Sequence, residues 1–187
     1  MKKVWFILLF IVPSRIFGQT ETLKAIIAKK ADSLFSQTVA WRRDFHQNPE
    51  LGNREVRTAG IVANYLRSLG LEVKTGVATT GVVALLKGAY PGPVVALRSE
   101  LDALPVTEHP HVPFNSTVTT NYNGQTVGVM HACGHDTHMA MLLTVAEILT
   151  SIKSQLHGSV KFIFQPAEEG TPTVSYTHLT LPTNREV

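Results

Sequence analysis

Two short stretches hold the residue types best suited to chemistry: Met130-His-Ala-Cys-Gly-His-Asp-Thr-His138 and Gln165-Pro-Ala-Glu-Glu-Gly170. The first gathers three imidazoles (His131, His135, His138), one thiol and one carboxylate within nine residues. In an extended segment, residues two apart project to the same side. Cys133 and His135, with the permissive Gly134 between them, can therefore face one ion together. A thiolate and a neutral imidazole suit zinc or a similar borderline divalent metal. Asp136 and His138 stand where an apolar helical pattern begins. Asp136 is a candidate to cap that helix, to orient a ligand imidazole, or both. The competing account is a helix N-terminus that happens to carry a buried Cys and surface histidines.

Two adjacent acids such as Glu168 and Glu169 are usually solvated surface charge. This pair, however, follows Val160-Lys-Phe-Ile-Phe164, an apolar run that reads as a strand. Ligands of open α/β sheets bind beyond the carboxyl ends of strands. Neighbouring side chains diverge, so one Glu can ligate an ion while the other takes a proton from an attacking water. Metal-assisted amide hydrolysis requires that division of labour.

Three segments, in chain order, look like the motifs of the M20 metallopeptidase family: Arg98-Ser-Glu-Leu-Asp-Ala-Leu-Pro105, Met130–His138 and Phe162-Ile-Phe-Gln-Pro-Ala-Glu-Glu-Gly170. They resemble its amidohydrolase branch, which acts on N-acyl amino acids, hippurate and auxin conjugates. Arg42-Arg-Asp-Phe-His-Gln-Asn-Pro-Glu-Leu-Gly52 fits the same branch, and the likeness runs from about Val39 to Thr173.

The resemblance implies a three-layer α/β/α zinc-exopeptidase-like catalytic domain, interrupted by a smaller lid or dimerisation domain, and a homodimer as the complete protein. It also implies two divalent ions, zinc or manganese. By motif position Cys133, His135 and Glu169 are metal ligands, Glu168 is the general base, and Asp102 is an acid supporting a metal-site residue. Glu100 stands where related peptidases carry a ligand His; this branch commonly has an acid there, so Glu100 joins Asp136 and His138 as support around the ligands. Two further ligand histidines are expected beyond Val187, so the chain alone is expected to be inactive. The expected reaction is hydrolysis of the amide bond of N-acyl amino acids or similar conjugates, small-molecule or peptide substrates. The alternatives are a dipeptidase or carboxypeptidase with the same centre, and a metal-binding protein without catalysis.

The elements that must position these residues are legible upstream of them. Thr20 to Phe45 has a helical pattern with Leu23, Ile26, Ile27, Leu34 and Phe35 apolar and a break expected before Trp41. His46 precedes a turn at Asn48-Pro-Glu50 and reads as structural, with no partner nearby in sequence. Asn53 can cap the next helix, with Glu55 in its first turn, a stripe at Ala59, Val62, Leu66 and Leu69, and Gly70 as the stop. Leu71–Val77, Val82–Leu86 and Val94–Leu97 read as strands. Glu100 and Asp102, at the end of the third, could equally be loop-solvating charges. His109 and His111 lie in a proline-rich loop, and Asn123-Gly124 marks a hairpin. Leu142, Val145, Ala146 and Leu149 form a further helical stripe. Helices alternating with apolar strands argue for an α/β domain.

The ends differ from the middle. Met1-Lys-Lys3 followed by the short apolar run Val4–Val12 and Pro13 suits a signal peptide over residues 1–18, with cleavage near Gly18-Gln19. The protein is therefore expected to be exported, periplasmic or secreted, with no stable membrane span after cleavage. The formal net charge is +3, but without Lys2, Lys3 and Arg15 the chain has 14 basic against 14 acidic residues. Nothing in that balance supports nucleic-acid binding. A single Cys excludes an internal disulfide framework. Residues 19–173 read as the N-terminal part of the catalytic domain. From Val174, Val-Ser-Tyr-Thr-His-Leu-Thr-Leu-Pro-Thr183 spells the translation of a transposase-end sequencing adapter, so 174–187 is expected to be a non-native tail. Without the remaining strands, exposed sheet edges and apolar surface are expected to make the chain poorly soluble.

Overall fold

A computed structural model describes residues 14–109 and 112–170. The apolar run Val4–Val12, His111 and the tail 174–187 lie outside the described residues. The first helix, α1, runs unbroken over Ser14–Gln47, through the expected cleavage point and past Trp41, so the break foreseen there does not occur. Trp41 instead packs edge-on against Tyr65 of the second helix, with ring centroids 4.6 Å apart. Phe35, read as an inward position, is 68% exposed.

Helix α2 (Val56–Ser68) is followed by β1 (Glu72–Val77), β2 (Gly81–Lys87) and β3 (Tyr90–Glu100). A small hairpin, β4 (Thr119–Tyr122) and β5 (Gln125–Gly128), then leads to α3 (His135–Ser151) and β6 (His157–Gln165). The hairpin turns at Asn123 and Gly124, both at positive φ (52° and 80°), as a tight two-residue connection requires. Helix α2 ends in a Schellman arrangement: Leu71 N–H donates to Leu66 O and Gly70 N–H to Arg67 O, with Gly70 at φ +76°. Its start differs from expectation. Asn53 sits at φ +61° in the preceding turn and no side chain caps the helix; Glu55 occupies the cap position and points inward.

The main sheet has the order β1-β2-β6-β3. β6 is antiparallel to β2 and parallel to β3, with Glu100 opposite Gln165. Val82, Ala84 and Leu86 of β2 and Phe162 and Phe164 of β6 share the face that meets Val62 and Leu66 of α2 and Met139 and Leu143 of α3. Each large apolar side chain buried there contributes about 1.5–3 kcal/mol. Helix α3 lies between this face and α1, joined to α1 by a Thr38–Thr144 hydroxyl contact of 2.6 Å. That position explains why its buried surface exceeds the predicted stripe and includes Met139, Ala140, Leu143 and Ile148. On the opposite face Val83, Leu85 and Ile163 stay half-buried, because no described helix covers them. The fold is thus a mixed α/β arrangement whose described helices cover one side of the sheet.

Candidate metal centre

β3 and β6 run parallel, so both deliver their carboxyl ends to the same edge of the sheet. Glu100 and Asp102 follow from β3, and Glu168 and Glu169 from β6. The N-terminus of α3 completes the edge with Cys133 and His135. The extended segment expected to present the two does not occur. Gly134 takes φ +98° and caps α3, and His135 is the first helical residue. A Cβ at Gly134 would meet nothing within 4 Å, so glycine is needed for the backbone conformation rather than for space. The reversal swings the thiol and the imidazole to one side. One donor atom each from Cys133, His135 and Glu169 lies within 4.8 Å of the others.

His135 is buried, and its Nδ1 lies 2.8 Å from the Asp102 backbone oxygen, which fixes a proton on Nδ1 and makes Nε2 the nitrogen that can ligate an ion once its own proton is displaced. Nε2 faces the acid pair, 3.8 Å from Glu168 Oε2 and 3.9 Å from Glu169 Oε1. Asp102, 1% exposed, accepts the Glu169 backbone N–H at 2.9 Å and keeps Oδ1 3.6 Å from His135 Nδ1. Glu100 binds Arg98 on one oxygen and His138 Nδ1 at 2.9 Å on the other. The two acids are therefore buried parts of the site and not loop-solvating charges.

The electrostatics describe a place for a cation. Burial works against a charged His135, but bonds and charge from Asp102, with Glu100 behind it, outweigh that and lift its pKa to about 9. The Cys133 thiol is pushed up to about 11 by its hydrogen bond to Glu169, by burial, and by the charges of Glu169, Glu168 and Glu100. Burial also opposes charge on Asp102 and Glu100. It is outweighed by His135 and the Glu169 and Glu168 backbone for Asp102, and by His138 and Arg98 for Glu100, so both carboxyl pKa values are lowered. A divalent ion answers this excess of negative charge. Ligand atoms around a zinc-like ion sit roughly 3.3–3.8 Å apart, within small side-chain adjustments of the trio. A thiolate, an imidazole with its second nitrogen anchored, and a carboxylate are a fitting donor set.

Asp136 neither caps α3 nor touches His135. Its Oδ2 accepts from Arg42 Nε at 2.9 Å and pairs with His46 Nδ1 at 2.8 Å. His46, 4% exposed, does have partners: Asp136 and, at 3.1 Å through Nε2, Glu108. They lie 90 and 62 residues away, so no local pattern could have shown them. Glu108 in turn accepts the Ser116 N–H at 2.6 Å, tying down the loop after β3. His131 is buried with neither ring nitrogen hydrogen-bonded, and burial drives its pKa down to about 4. Glu55 escaped sequence reading for the same reason as His46, since its partners are Thr80 and Ala167.

Comparison with known proteins gives a consistent answer. Residues 96–179 match the profile of peptidase family M20/M25/M40. The chain is 50% identical over 129 residues to thermostable carboxypeptidase 2 of Saccharolobus solfataricus, covering 68% of this chain and 31% of the relative. It is 40% identical over 149 residues to the N-acyl-L-amino acid amidohydrolase of Geobacillus stearothermophilus, covering 80% and 38%. Among solved structures it resembles the Bacillus subtilis YXEP protein, described as a dinuclear metal binding peptidase of the M20 family. That match has a TM-score of 0.66 and 40% identity over 74% of this chain and 36% of that one. The chain thus spans about a third of the length of the relatives it matches.

Proposed function

Since this chain belongs to the M20 peptidase family, we propose that the complete protein hydrolyses the amide bond of N-acyl amino acids or similar conjugates. Cys133, His135 and Glu169 would hold a divalent ion, zinc or manganese, and a second ion would complete the centre. A divalent ion there supplies Lewis-acid polarisation of the scissile carbonyl and acidifies a water.

The chain's own residues do the rest. Glu168 stands beside the donor trio, 35% exposed, with its carboxylate open to the space in front of His135. It takes the proton of the attacking water and returns it to the leaving amine. Asp102 keeps His135 in the tautomer that offers Nε2 and holds the Glu169 backbone in place. Glu100, locked by Arg98, orients His138 at the rim. Asp136 secures α1 against the N-terminus of α3 through His46 and Arg42.

The observation that carries this reading is the convergence of a thiol, an anchored imidazole and two carboxylates at the shared ends of two parallel strands. The proposal includes residues 1–18 as an export signal, residues 19–173 as catalytic-domain sequence, and a dimer formed through an inserted domain. It rests in these respects on the basic, apolar N-terminus and on the family likeness. A panel of N-acyl amino acids against dipeptides, run with and without a chelator, tests the activity. Chelator-sensitive turnover of acyl amino acids is expected. Preference for free dipeptides would favour the peptidase reading, which the likeness to a carboxypeptidase also supports. Turnover unaffected by chelation would end both.

A further inference from the structure

Glu55 is wholly buried and has no part in the scheme above. Its Oε1 accepts the backbone N–H of Ala167 at 2.8 Å, and its Oε2 accepts the Thr80 hydroxyl. Ala167 immediately precedes Glu168 and sits at φ +50°, a conformation that a residue with a Cβ keeps only where its surroundings hold it. The surroundings are close. A Cβ at Gly52 would lie 3.0 Å from Ala167 Cα and Cβ, and one at Gly81 would lie 2.8 Å from Pro166 Cδ.

The acid turn is thereby gripped at two points, the Ala167 N–H by Glu55 and the Glu169 N–H by Asp102. Glu168 is the residue between them. Removing the Glu55 carboxylate would leave the Ala167 N–H, itself in a 2% exposed residue, without an acceptor. The turn could then relax toward negative φ and swing Glu168 away from His135. Burial raises the Glu55 pKa despite opposing bonds from Thr80 and Ala167, so a neutral side chain can fill the place.

We propose that Glu55 is a positioning residue for Glu168: by fixing the left-handed conformation of Ala167, it aims the Glu168 carboxylate at the reacting bond. This rests on the reading of Glu168 as the proton-transfer group. The test uses the complete protein, with kcat and KM measured separately. Cobalt(II) replaces the native ion, so that thiolate-to-cobalt absorption reports Cys133. Glu55→Ala is expected to lower kcat about ten- to a hundredfold, the scale of a misplaced catalytic group, with KM changed less than about threefold and the cobalt band retained. Glu55→Gln should keep kcat within about threefold of wild type, because its amide oxygen accepts from Ala167 and its amide nitrogen donates to Thr80.

The double variant Glu55→Ala with Ala167→Gly should recover most of the lost kcat, since glycine adopts positive φ unaided. A general loss of stability would not be rescued that way. Glu55→Ala with kcat within about threefold of wild type, or a double variant no better than the single one, overturns the proposal. If Glu55→Ala fails to fold, Glu55→Asp replaces it. The shorter side chain keeps the carboxyl group but cannot span to Ala167, and the same fall in kcat is expected; an unchanged kcat overturns the role. Glu168→Gln, run in parallel, separates the two readings. If it too turns over normally, the assignment of Glu168 fails; if it is dead while Glu55→Ala is unaffected, the positioning role alone fails.

Discussion

The edge of the sheet carries two polar layers built on opposite terms. The outer layer, Cys133, Glu168 and Glu169, is partly open to solvent and its donor atoms are held loosely, a few ångströms apart. The inner layer, Asp102, Glu55 and the His46–Asp136 pair, is buried and bonded at 2.8–2.9 Å. A side chain that must change partners during a reaction cannot be tied down at rest, whereas one that aims it must be held by at least one firm bond, as Asp102 is through Oδ2 while its Oδ1 stays unpartnered. Variants in the outer layer should therefore remove chemistry directly, and variants in the inner layer should act through it, on stability, on ion affinity or, at Glu55, on the aim of Glu168.

The largest effect is expected in the outer layer. Glu168→Gln should reduce kcat roughly a thousandfold, the middle of the range for a lost general acid–base. Metal content measured by atomic emission and the unfolding midpoint should stay near wild type. If metal is lost together with turnover, Glu168 belongs among the ligands, and the division between layers is drawn in the wrong place.

The next effect lies in the inner layer. Asp136→Ala strands His46 and Arg42 beside a buried gap and should lower stability by about 3 kcal/mol in urea unfolding, the cost of breaking a buried pair from one side. Turnover per folded molecule should change little. A loss below about 1 kcal/mol would mean that the pair is not a brace.

Titration should separate ion binding from fold stability by sign. Ion binding must displace protons from Cys133 and His135, whose pKa values in the free site are about 11 and about 9. Affinity should thus fall roughly a hundredfold for each pH unit below about 9, with about two protons released per ion. Calorimetry in buffers of different ionisation enthalpy measures that number, and a value near zero contradicts it. In metal-free protein the raised His135 pKa works the other way. Its stabilisation is complete below pH 6.5 and is lost as pH rises through about 9.

The smallest effect expected is that of Asp102→Asn. It leaves the backbone bond to His135 in place but removes the charge of the carboxylate 3.6 Å from His135 Nδ1 and weakens its hold on the Glu169 backbone, and should reduce metal affinity about ten- to a hundredfold in competition with a chelator. No change in affinity would make Asp102 a bystander.

The outer layer was legible in the sequence because its residues cluster within Met130–His138 and Gln165–Gly170. The strands showed through their Val-rich runs between Gly and Pro signals, and the stop at Gly70 through its conformational freedom. The inner layer was largely hidden, since its contacts join residues far apart. Glu55 looks like a surface acid until Ala167, 112 residues on, is placed against it. Asp136 looks like a cap for α3 until α1 brings His46 to it. The Cys133–His135 pairing was foreseen for the wrong backbone reason: a left-handed glycine brings about the convergence that an extended segment was expected to give.

The position of β6 has a consequence for how the molecule is made. It is the last described strand in sequence, yet it lies between β2 and β3. Until it is synthesised, both neighbours wait with open hydrogen-bonding edges, and such non-local insertion is slow and exposed to mispairing. Glu169 reaches Cys133 and His135 only once that strand is seated, so an ion held by all three would be captured only after the sheet has closed.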